Sequence, residues 1–188
     1  ITCLGVTSHE QCQEKMLERL IRRAYRDAAS RTLTLTDEFV RGICQKRRNL
    51  DQTKRPGEEE IKQWVKEIVS NPLEISQERY DCLHRRICDE LKGLYPEKAT
   101  SAERKFTYGI AQKWVNMTMK YIYVLQNLLQ AVEPEHPFCK TFGRQIASLA
   151  SVLHAPIDSY VLAEERKDGI IDQREIRNSI QAWSKLDC

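Results

Sequence analysis

Two stretches of this sequence bring titratable and hydrogen-bonding side chains close enough to move a proton or hold an anion. In the run 153–160, Pro156 suits the first position of a helix, with His154 just ahead of it and Asp158 in its first turn. That imidazole and carboxylate can work as an acid/base pair, and the unbonded N–H groups of the helix start can hold an anion. The structural alternative is a loop histidine beside a capping carboxylate. The second stretch is 108–132, where Gln112 flanks a polar face of Lys113, Asn116, Lys120, Tyr123 and Asn127. At about 100° per residue these five fall within about 80° of arc. No carboxylate occurs between 106 and 132, although a solvated face in so charged a chain should carry glutamate. The pattern predicts a half-buried groove for a phosphate or base edge, or a polar seam under another helix.

A third pattern is electrostatic. Lys15, Arg19, Arg22, Arg23 and Arg26 lie within about 100° of arc on a helix over about 9–29. Glu14, Glu18 and Asp27 fall outside that arc. Crowded like charges repel, so the arrangement costs stability unless an anion is near; phosphates suit the planar fork of arginine. Arg41, Lys46, Arg47 and Arg48 extend the charge downstream. Pairing with acids of another helix, such as 58–60, is the competing expectation.

Arg79-Tyr80-Asp81-Cys82-Leu83-His84 resembles, in its Arg-x4-His spacing, the motif of HEPN-type ribonucleases. The resemblance covers six residues and implies a small, all-helical, usually dimeric ribonuclease that needs no metal. In it His84 is the acid/base group and Arg79 stabilises the transition-state phosphate. Tyr80 departs from the family, which usually has a small polar residue there. Metal sites read less well. His136 with Cys139, and Cys82 with His84 and Cys88, have usable spacing, but neither group supplies the paired ligands of structural zinc. Phosphate-binding glycine loops, GxSxG and HExxH are absent from the sequence, and no cofactor is expected.

The elements that must position these groups are helical. Apolar residues recur at helical spacing through about 9–29, 36–49, 57–70, 76–93, 108–132, 138–152, 156–166 and 172–186. Ser8, Ser76 and the carboxylates Glu58–Glu60 mark starts; Asn71-Pro72, Gly93 and Gly169 mark ends. On 108–132 the core side is expected to hold Ile110, Trp114, Tyr121, Leu125, Leu128 and Val132. The expected fold is an all-α single-domain bundle of about eight helices, with a basic two-helix arm (1–55) packed on a helical core (56–188).

Composition agrees. The 188 residues are 41% hydrophobic and 30% charged, with 7 Gly and 6 Pro, too apolar for a disordered chain and too poor in turn formers for a many-stranded one. The net charge of +3 conceals net +5 over 1–55 and net +3 over 101–132. The apolar uncharged run Tyr121–Val132 is 12 residues, and no uncharged run exceeds 13, short of the roughly 20 that span a bilayer. Seven scattered cysteines without CxxC read as reduced thiols of a cytoplasmic protein. The leading expectation is a helical protein that binds a phosphate-bearing partner: a nucleotide or, above all, nucleic acid, RNA or DNA. The others are the ribonuclease and a noncatalytic adaptor that forms homo-oligomers.

Overall fold

The computed structural model describes residues 9–29, 55–70, 75–95 and 106–154. Among them are five α-helices: α1 His9–Ala29, α2 Glu58–Ser70, α3 Gln77–Leu94, α4 Tyr108–Val132 and α5 Arg144–Leu149, the last preceded by a π-helical turn, Cys139–Gly143. No strand occurs among the described residues, and the fold is all-α. The helices expected at 36–49, 156–166 and 172–186 lie outside the described residues. No described helix is long and apolar enough to cross a membrane.

α1 is helical because its apolar residues return every three or four positions. Leu17, Ile21, Ala24, Tyr25 and Ala28 are all buried, and they join α2, α3 and α4 in one core cluster. Its main neighbour is α4. The Trp114 indole N–H donates to the Ile21 carbonyl (3.0 Å), and the Tyr25 ring meets that indole edge-on at 4.8 Å. Each of Leu17 and Ile21 stabilises the fold by about 1.5–3 kcal/mol through burial alone.

The turn into α2 is set by Gly57, whose φ of +96° a side chain tolerates poorly. A Cβ there would stand 2.5 Å from Leu91 Cδ2 and 2.8 Å from Trp114 Cζ3, so the turn is pressed against both α3 and α4. The Tyr95 hydroxyl donates to the Pro56 carbonyl (2.9 Å) and closes the same corner. Glu58, Glu59 and Glu60 then offset the dipole of the helix start. α3 begins on Ser76, whose hydroxyl accepts from the Arg79 N–H (3.3 Å). The Trp64 indole donates to the Leu83 carbonyl (3.0 Å), which locks α2 to α3.

Two expectations need correction. The core side of α4 holds Ile110 and Trp114, then turns toward Val115, Thr118, Met119, Ile122 and Gln126, because α1 and α3 pack there. Leu128 (58% exposed) and Val132 (70%) lie outside the core, together with Val124 (53%). The expected helix over 138–152 is interrupted by the π-helical turn and ends at Leu149. Phe138, Phe142, Ile146 and Leu149 all face inward, with the two phenyl rings 4.6 Å apart.

Candidate functional site

On α1 the charges have been sorted by the packing. Three of its acids turn toward neighbouring helices: Glu14 pairs with Lys66 (3.0 Å) and Lys62 (3.6 Å), Glu18 with Lys62 (3.5 Å), and Asp27 accepts from the Tyr121 hydroxyl. Its cations mostly turn outward. Lys15, Arg19 and Arg26 are exposed and form no ion pair with any described residue. Arg23, 62% exposed, is held by Asp27 one turn on (3.2 Å). Arg22 leaves the expected stripe: its Nε donates to Glu58 Oε2 (3.0 Å), a carboxylate only 5% exposed. Burial pushes the Glu58 pKa up, against the pull of Arg22. The expectation of a uniform stripe is therefore corrected at Arg22 and Arg23. An outer row of Lys15, Arg19 and Arg26 remains, spanning about 16 Å at 1.5 Å per residue.

A second cluster forms where α3 meets α4 and the 150–154 turn. The rings of His84 and His154 lie 4.5 Å apart, edge to face, with Tyr80 5.2 Å from His154. His84 is 2% exposed. Its Nε2 donates to Asn116 Oδ1 (2.8 Å), and its Nδ1 faces the Cys88 thiol (3.9 Å). Burial first, and then the charge of His154, lower its pKa to about 4, so it is a neutral imidazole with both nitrogens engaged. It buttresses His154 and does not reach solvent.

His154 is the accessible member, 33% exposed, and its Nε2 donates to Asp81 Oδ1 (2.8 Å). Gln77, which donates to the same oxygen, and His154 hold the Asp81 carboxyl below its usual range. A second Gln77 bond, to the Val152 carbonyl (3.4 Å), ties the turn to α3. An aspartate that fixes one imidazole nitrogen leaves the other to exchange a proton with a ligand. Asp81 is thus the described carboxylate that orients His154; Asp158 lies outside the described residues.

The expected groove on α4 is uneven. Asn116 is buried on His84, Gln112, Lys113 and Tyr123 are half-buried, and Lys120 and Asn127 are exposed. These residues thus differ in burial. Arg79 is exposed, and the five residues to His84 turn the helix by about 140°. The two do not share a face, and no contact joins them. Arg41, Lys46, Arg47 and Arg48 lie outside the described residues.

Among the described residues no group of three or more His, Cys, Asp or Glu side chains is placed to hold a metal ion. His136 accepts from the Phe138 N–H (3.1 Å), and the Cys139 thiol faces the Gln126 carbonyl (4.0 Å). Cys12, Cys82, Cys88 and Cys139 are thiols and form no disulfide. Compared with known proteins, the chain matches no family model, no curated protein and no solved structure.

Proposed function

We propose that this protein binds a phosphate-bearing partner, nucleic acid in particular, along the outer face of α1. One observation carries the reading: Glu14, Glu18 and Asp27 of α1 are engaged by lysines of α2 and by Tyr121 and Arg23, while Lys15, Arg19 and Arg26 stay exposed and without an acid among the described residues. A helix face that carries a row of cations with no carboxylate among them repels itself until an anion arrives. A row about 16 Å long spans several phosphates of one strand. The combined variant Lys15→Ala/Arg19→Ala/Arg26→Ala should lose at least about tenfold in affinity for a fluorescent polynucleotide, by anisotropy at about 50 mM salt. Unchanged affinity would remove α1 from the interface.

A metal-independent ribonuclease is a second reading, favoured by the hydrogen-bonded Asp81–His154 pair against its neutral His84 support. The acid/base group there is His154, with Asp81 orienting it. Under this reading His154→Ala abolishes RNA cleavage that persists in chelator, and Arg79→Ala does not. Cleavage retained by His154→Ala would end it.

A further inference from the structure

A cavity of about 530 Å³ opens between the N-terminal half of α1, the end of α2 and the π-helical turn, a volume typical of small-ligand sites. Its floor is apolar, formed by Leu17, Val69 and Phe142, and Gln13, Thr141 and Gln145 stand on its walls. The Gln13 amide donates to the Pro137 carbonyl (2.7 Å) and to Thr141 Oγ1 (2.8 Å), which pins the π-helical turn against α1. Gln145 keeps a buried Oε1 without a hydrogen-bond partner. Rotation about its terminal bond would let a ligand donor satisfy that oxygen.

Charge narrows the ligand. Among the described lining residues the only carboxylate is Glu14, and Lys66 and Lys62 already neutralise it. The site therefore favours a neutral group with donors, acceptors and a flat apolar face. Its place on α1 narrows the ligand further. Gln11 lines the cavity, and Lys15 and Arg19 follow it at successive four-residue steps, so the cation row starts at the cavity's edge.

We infer that this cavity receives an unstacked nucleobase from a single strand whose phosphates run along Lys15, Arg19 and Arg26. The inference rests on the proposed α1 interface and adds the substrate class. A base in a duplex is stacked and paired, and cannot enter such a cavity sideways. A single-stranded base can leave its neighbours, enter the cavity and offer its edge to the amides.

The experiment compares three labelled probes of equal phosphate number: a single-stranded oligonucleotide, an abasic strand and a duplex. The native protein should bind the single strand about tenfold more tightly than the abasic strand. Gln145→Leu with Thr141→Val should close that gap, and so should Ser70→Trp, which blocks the mouth from an exposed position. A free nucleoside should compete away the base-dependent part alone. Equal affinity of the native protein for the base-bearing and abasic strands would overturn the cavity assignment and leave the α1 interface standing. Binding to none of the three would overturn both. Retention of the gap by both the Gln145/Thr141 variant and Ser70→Trp would also remove the base from this cavity.

Discussion

His84 offers the sharpest test at the scale of single residues. Unfolded, it titrates near its ordinary pKa of 6.5; folded, burial and the neighbouring His154 lower this to about 4. Between those values the unfolded chain holds a proton that the native protein refuses, so acid favours unfolding. The contribution is complete above pH 6.5 and is lost as pH falls toward 4, by about 3 kcal/mol. Denaturant titrations across this range should show the decline. His84→Gln, which keeps an N–H donor for Asn116, should remove most of it. An undiminished decline in that variant would place it on the carboxylates: Asp81, Glu14 and Glu135, with lowered pKa values, also lose stability in acid. His84 and His154 were legible as titratable groups, but the bond from His154 to Asp81 was not. Those two residues are far apart in the chain, and only the turn held by Gln77 brings them together.

Among the elements, the Pro56–Gly57 turn fixes how α2 meets α3 and α4. Gly57→Ala should destabilise the protein by about 2–4 kcal/mol, because the added methyl meets Leu91 and Trp114 while the backbone holds a positive φ. Unfolding at no lower denaturant than native would contradict that packing. Arg22→Met should destabilise through the buried Glu58 it strands, by about 1–3 kcal/mol, with little effect on polynucleotide affinity. That division between Arg22 and its neighbours is what the structure adds to the sequence. The existence and approximate limits of α1 to α4 were readable, since Ser76, the Glu58–Glu60 run and the apolar spacing of α1 act locally. The core side of α4 was harder, because Leu128 and Ile122 are equally apolar and only the packing of α1 and α3 selects between them. The π-helical turn left no local signal, since the i, i+4, i+8 spacing of Phe138, Phe142 and Ile146 reads as an ordinary α-helix.

Across the whole molecule, packing sorts the charge. A net charge of +3 is too small to steer a polyanion by itself. What matters is that α2 supplies Lys62 and Lys66 to the acids of α1, which leaves the outward side of that helix cationic. Such an interface works by displacing counterions, so affinity must depend on salt. The most direct measurement is the slope of log affinity against log salt for a polynucleotide, taken on the native protein and on Lys15→Ala/Arg19→Ala/Arg26→Ala. A linear fall is predicted, with the slope of the variant smaller by about 2–3, close to one phosphate for each cation removed. Identical slopes in the two proteins would contradict the account.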